Sequence, residues 1–425
     1  MTEPVPLKFS NELSRRMALP QRHRLLQGYP MLPLHRAAVP GGGWTRRLDG
    51  ELRSWMPKPS ERVEPEAPWI RFDPSRPLIV GVLPHTQCNP KLAGCGFCTF
   101  PHDAYHKATL VRTVGHVEEE IARVTKKAGL RGVLGETIIS FPSPDAKTPA
   151  EGLARNEAFI KEFAHDELIR PAVAPHSMYT VDLESLQTSR RLADRYEAPL
   201  LIHVAETEGE VTTSRERHQM PPFAYLDSIG FLGPRVVAAH AVWVGDDEVP
   251  LLVRTGVGIS HNPESNMKLA SGTAPIPRYL SSGLAVGLGT DGAASNNDLD
   301  MFEAMRQAAF LHKLQTVDPT VVGAPAAVEM ATIGGARVLG LEKLIGSIEP
   351  GKRADLVLVS MRGARQTPMY NPVSHLVYVS KGADVQTTIV NGRVLMRDRR
   401  MLTLDEPAVL AEARKMAERV RAAVK

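Results

Sequence analysis

From residue 132 to residue 288 the chain alternates short apolar runs with longer stretches of helical periodicity, and this alternation constrains the fold more than any other feature. Repeated strand-helix units of this kind build a parallel sheet covered by helices. The apolar runs read as strands at 132–139, 171–175, 199–204, 236–239, 257–260 and 284–288, each closing on polar residues. In an α/β barrel the chemistry sits where strands pass into their following loops. His176, His203, His240, His261 and Asp291 occupy such ends and are the candidate functional residues.

The flanks have a different texture. A helix is expected over 114–128, with Val117, Ile121 and Val124 at helical spacing and Gly129 placed to stop it. After Gly346 come short alternating strands at 355–359 and 387–390, with the turn-forming pair Asn391 and Gly392, which read as a small β-sandwich-like domain. From Glu406 the spacing of Leu410, Ala413, Met416, Val420 and Val424 predicts an amphipathic C-terminal helix. Residues 1–76 show no sustained periodicity, and an apolar run at 77–83 reads as a strand leading into a loop that carries Cys88, Cys95 and Cys98. The organisation expected is therefore an irregular segment 1–76, a strand plus cysteine loop of foreign character 77–116, an α/β barrel 117–345, a small β domain 346–405 and a helix 406–425.

Charge and composition narrow the function classes. The formal charge of +4 is modest and its basic residues are interspersed with acidic ones, so nucleic acid is not an expected partner. No apolar run reaches the roughly 20 residues that span a bilayer, and the N-terminus lacks the apolar core of a signal peptide, so no membrane partner and a cytoplasmic location are expected. Three cysteines confined to one loop argue against a disulfide framework and for a metal, cluster or redox role.

His203 and Glu206, three apart just beyond a strand, can both turn into a pocket mouth, where a neutral imidazole suits zinc or iron and a carboxylate can move protons. Asp291 sits between Thr290 and Gly292 in a small-residue setting that lets a carboxylate approach a ligand, although a turn aspartate bonded to its own backbone is the alternative. His176, His240 and His261 could equally be packed core histidines, and Ser295, Asn296 and Asn297 could be helix caps.

The segments HVAET at 203–207, SHNPESNMKLASG at 260–272 and GLGTDGAASNNDLDMFEAMR at 287–306, with GSIEPGKRADLVLV and VNGRVLMRD further on, resemble the amidohydrolase superfamily, in particular deaminases of 5-methylthioadenosine and S-adenosylhomocysteine. The likeness covers about 118–405. It implies an α/β fold: a distorted, incomplete TIM-like (β/α)8 barrel with the small β domain and a C-terminal helix. It also implies hydrolytic release of ammonia from an adenosine-like small-molecule nucleoside, using one divalent metal, zinc first and iron or manganese as alternatives. By this resemblance His203 and Asp291 are metal ligands, and Glu206, His240 and Asp291 are catalytic: Glu206 shuttles a proton to the purine ring, and His240 orients the attacking water. His176, Glu206, His261 and Asp291 are the expected substrate contacts, and a homo-oligomer is left open.

One element of the pattern is missing. Members of that family begin the barrel with two histidines one residue apart, and no two histidines of this chain are so spaced. His85 is a candidate stand-in. The run HTQCNPKLAGCGFCTFPH at 85–102 resembles instead the cluster loop of radical S-adenosylmethionine enzymes, with Cys88, Cys95 and Cys98 as possible cluster or metal ligands. Its spacing departs from the common form, and an assembled iron-sulfur cluster is not the expected outcome. The rival readings are an impaired fusion lacking the first-strand ligands, a guanine, cytosine or triazine aminohydrolase, and a radical-enzyme fragment.

Overall fold

The computed structural model of the protein describes residues 117–143 and 146–424. The segments 1–76 and 77–116, with His85, Cys88, Cys95, Cys98, the strand at 77–83 and the start of the helix at 114–128, therefore lie outside the described residues.

Helix α1 (Val117–Ala128) leads into strands β1 (Gly132–Leu134) and β2 (Thr137–Ile138), then β3 (Ile169–Pro171) and β4 (Ala174–Pro175). The single strands expected at 132–139 and 171–175 are thus each split in two. At the break the two backbones run close: a Cβ on Gly135 would lie 2.5 Å from the carbonyl oxygen of Ala172. That carbonyl instead accepts the amide of the buried Asn156 at 3.0 Å. On either side of the break β1 pairs with β3 and β2 with β4, both in parallel.

The strands β5 (Leu200–Val204), β6 (Val236–His240), β7 (Gly258–His261) and β8 (Val286–Leu288) form one parallel sheet in chain order. Bridges from Val173 to Leu200 and from Ser177 to His203 join the β3 and β4 side to β5. Successive parallel neighbours with helical crossovers are the wall of a TIM-like barrel. Among the described residues β8 pairs only with β7, and β1 only with β3.

The crossovers are α2 (Pro149–Phe163), α3 (Leu183–Tyr196), α4 (Glu208–His218), α5 (Pro222–Ser228), α6 (Glu248–Thr255), α7 (Pro263–Lys268) and α8 (Ile276–Ser281), followed by α9 (Met301–Thr316), α10 (Ala324–Glu329) and α11 (Gly335–Val338). Thr148, Asp182, Thr207 and Asp300 cap α2, α3, α4 and α9, each side chain accepting a backbone N–H of the first turn. Buried Val204, Val236, Ala238, Ile259 and Val286 line the sheet and pack with Phe223, Leu252 and Tyr279 of the helices, so the apolar runs are hidden from water on both faces.

Two glycines make the last strand fit. A Cβ on Gly287 would stand 2.8 Å from the Cα of Gly335, and one on Gly334 would stand 2.5 Å from the carbonyl oxygen of Val286. The π-helical turn Met330–Gly334 can lie directly on β8 only because both are bare.

The small domain is an antiparallel sheet of β9 (Leu356–Val359), β10 (Val385–Val390), β11 (Arg393–Arg397) and β12 (Arg400–Met401), in the order β12-β11-β10-β9. Asn391 and Gly392, with φ of 50° and 79°, make the tight β10–β11 turn that their sequence predicts. Helix α12 (Pro372–Tyr378) packs on α9 and α10. The C-terminal helix α13 (Glu406–Val424) is mostly exposed. Among the described residues no helix is long and apolar enough to cross a membrane.

Candidate active site

Three imidazoles meet at the C-terminal ends of adjacent strands. The β5–β6 register sets His203 beside Ala239 and Val204 beside His240, which brings the rings of His203 and His240 to 5.6 Å between centroids. The ring of His176, just after β4, lies 5.0 Å from that of His203. His176 is steadied by Thr180 Oγ1 at 2.8 Å from its Nδ1. Burial, and then the neighbouring His203, push its pKa down to about 3, so it stays neutral.

The tautomers of two of these rings follow from their partners. His203 Nδ1 donates to the carbonyl oxygen of His176 at 2.7 Å, and His240 Nδ1 donates to Asn266 Oδ1 at 2.9 Å. Each ring therefore carries its lone pair on Nε2, the arrangement in which a second nitrogen is offered to a cation or a water. His240 Nε2 is buried without a hydrogen-bond partner, and so is Glu206 Oε2, 3.7 Å away. Two such polar atoms facing each other in the interior are costly unless a ligand or water satisfies them. Burial first, and then His203, hold the His240 imidazole down at about 4.

Glu206 receives the Ser271 hydroxyl on Oε1 at 3.1 Å. Burial pushes its carboxyl up to about 7; the Ser271 hydrogen bond opposes this, and Asp291 adds to it. At neutral pH such a group can hold or release a proton. Asp291 follows β8 and differs: burial would raise its pKa, but the Ser265 hydroxyl at 2.6 Å from Oδ2, the nearby His240 and the Gly292 N–H at 2.7 Å from Oδ1 keep it below the usual carboxylate range. The alternative of a turn aspartate is thus half true, since Oδ1 does bind local backbone.

Backbone geometry at the strand ends is unusual. Ala205, His240 and Asp291 have φ of 53°, 72° and 61°, in the left-handed region that costs an L-residue about 1–3 kcal/mol. All lie where β5, β6 and β8 turn into their loops, so the surrounding hydrogen bonds have to impose this conformation.

His261 is placed otherwise. It ends β7 with no exposed surface, and its Nε2 lies 3.0 Å from His312 Nε2 on α9. Burial first, with His312 and His240, holds it well below its ordinary pKa. The structure thus brings His176, His203, Glu206, His240 and Asp291 together, while the His261 ring turns to His312. The sequence reading assigned no role to Ser265, Asn266, Ser271, Glu210 or His312. The first three lie inside a quoted motif, so the signal was present, but only the fold shows what each one touches.

Whether this donor set suits a divalent metal is a question of ligand count. His203 Nε2 and the Asp291 carboxylate have the right chemistry, and the paired orphan atoms of His240 and Glu206 suit a bound water beside a cation. Catalytic zinc takes three protein ligands. Among the described residues no group of three or more His, Cys, Asp or Glu could hold a metal. His203 and Asp291 fit as two members of such a site, and no third donor stands grouped with them among the described residues.

A parallel barrel with histidines, a glutamate and an aspartate at its strand ends defines a metal-dependent hydrolase class, and the model of the Amidohydrolase family matches residues 106–395. The chain belongs to this family. It is 44% identical over 308 residues to the 5-methylthioadenosine/S-adenosylhomocysteine deaminase 1 of Syntrophus aciditrophicus, covering 72% of this chain and 70% of that one. It is 47% identical over 300 residues to the 5'-deoxyadenosine deaminase of Methanothermobacter thermautotrophicus, covering 69% of each. Among solved structures, an adenosine deaminase from Xanthomonas campestris with bound zinc superposes with a TM-score of 0.71 at 36% identity, over 73% of this chain and 70% of that one. The cysteine loop at 85–102 precedes the matched span.

Proposed function

We propose that this chain is a metal-dependent aminohydrolase that removes the amino group of an adenosine-like nucleoside, of the 5-methylthioadenosine or S-adenosylhomocysteine type, as ammonia. The observation that carries this reading is the buried pair of unsatisfied atoms, His240 Nε2 and Glu206 Oε2, set beside His203 and Asp291. Family membership and relatives named for deamination of adenosine-like nucleosides support it.

In this reading His203 and Asp291 hold one divalent cation, zinc as in the Xanthomonas campestris structure, with iron and manganese as alternatives. When bound, such a cation acidifies water to a pKa near about 7. The protein groups divide the rest of the chemistry. His240, whose Nε2 can only accept, orients the attacking water. Asp291, kept ionised by Ser265, takes a proton from that water. Glu206, held near neutrality by burial, gives a proton to the ring nitrogen next to the amino-bearing carbon. With water oxygen added at that carbon, Asp291 passes the proton it took to the amino group, the carbon–nitrogen bond breaks and ammonia leaves, and the added hydroxyl returns its proton to Glu206 as the ring carbonyl forms. His176, beside His203, serves as a substrate contact.

The test joins two measurements on the whole protein: metal content, and ammonia released from 5-methylthioadenosine, with guanine, cytosine and a triazine in parallel. Close to one equivalent of metal with ammonia from the nucleoside is the expected result. A protein holding below about a tenth of an equivalent after incubation with zinc, and releasing no ammonia, overturns the proposal and establishes the impaired fusion.

A further inference from the structure

We infer that Glu210 is a positioning residue for Glu206: it fixes the backbone turn that aims the Glu206 carboxylate. The inference rests on the proton-transfer role proposed above for Glu206. Glu210 lies in the first turn of α4 and is 5% exposed. A buried carboxylate is costly, and it persists only where its oxygens are satisfied. Here the partners are two successive backbone groups, the N–H of Ala205 on Oε1 and the N–H of Glu206 on Oε2, both at 2.9 Å. Among the described residues no other side chain has both its oxygens on the turn between His203 and Glu206.

The local conformation explains the need. Ala205 has φ of 53°, and without a glycine there the chain would relax toward an ordinary extended or helical form. Such relaxation would swing Glu206 off the end of β5. The two amides converge on one carboxylate only in the observed turn, so Glu210 selects it. Thr207 completes the arrangement: its hydroxyl accepts the Glu210 N–H at 3.2 Å and fixes the start of α4, which in turn fixes Glu210. Ser271 then chooses the rotamer of Glu206 from the opposite side. Glu210 itself touches neither the His240–Glu206 gap nor Asp291 by any hydrogen bond, and its effect on chemistry passes through Glu206.

The experiment is a double-mutant cycle with Glu210→Gln and Glu206→Gln in the full chain, combined with amide hydrogen exchange. Glutamine is isosteric but has one acceptor oxygen, so one of the two N–H groups faces an NH2. Glu210→Gln is expected to lower kcat about tenfold or more with KM within about twofold, since small misplacement of a reacting group is expensive. Added to Glu206→Gln it should cost no further activity, because the residue it positions is already disabled. Exchange should rise at Ala205 and Glu206 and not along the strands β6 and β7. Unchanged kcat in Glu210→Gln overturns the inference, and so does an equal loss on either background. If the wild-type protein holds no metal and releases no ammonia, the functional proposal falls alone; exchange then decides here, and unaltered protection at Ala205 and Glu206 overturns the positioning role.

Discussion

His240 and His261 end neighbouring strands of one sheet, and neither has any exposed surface, yet they are set for different work. His240 gives its Nδ1 proton to Asn266 and leaves Nε2 facing Glu206. His261 spends Nε2 on His312, a residue of the outer helix layer, and its Nδ1 is the ring atom buried without a hydrogen-bond partner. A strand end therefore supplies a location, and the partner of each ring nitrogen decides which nitrogen is committed and which is left open. The same contrast holds for carboxylates: Glu206 keeps one oxygen unsatisfied, whereas both oxygens of Glu210 are bound to backbone.

Substitutions at three histidines test this contrast in order of expected effect. His240→Gln should lower kcat about 10²- to 10⁴-fold with little change in thermal stability, as measured by steady-state kinetics and calorimetry. Loss of stability with retained turnover would make His240 a packing residue instead. His312→Leu should do the reverse, costing about 1–3 kcal/mol of unfolding free energy by stranding His261 Nε2, with kcat within about twofold of wild type. The pH dependence sharpens this. Burial, more than any other cause, holds His312 down at about 4, so the unfolded chain takes up a proton first as pH falls. The stability tied to neutral His312 is full above about 6.5 and is lost as pH drops from there toward 4, and denaturation curves of His312→Leu should lack that component. The smallest effect is expected at His218, which stacks on Tyr225 at 3.7 Å between centroids, away from any strand end. His218→Ala should cost about 0.5–1.5 kcal/mol in chemical denaturation and leave kinetics unchanged.

Much of the scaffold was legible because burial on both faces of a parallel sheet demands continuous apolar runs, and those runs stand out between amphipathic helices. The breaks at Gly135 and Ala172 were not legible, since the close approach there joins two segments distant in sequence, and the Ala172 carbonyl takes its partner from the side chain of Asn156. At the site, His203, Glu206, His240 and Asp291 could be singled out by type and by position at strand ends. Ser265 and Ser271 could not, because a serine in a loop has many uses and only the facing carboxylate defines the one in force. His261 shows the limit from the other side: its strand-end position matched that of His240, and its partner lies 51 residues away on helix α9.

The sequence by itself determined the strand-helix alternation, the residue types at each strand end and the absence of two histidines spaced one apart, because these are properties of local order. Only the tertiary structure decided which nitrogen or oxygen of each side chain is committed and which is left open. That choice depends on hydrogen-bond partners brought together from separate crossovers, and no local pattern encodes an acceptor contributed by a different turn of the barrel.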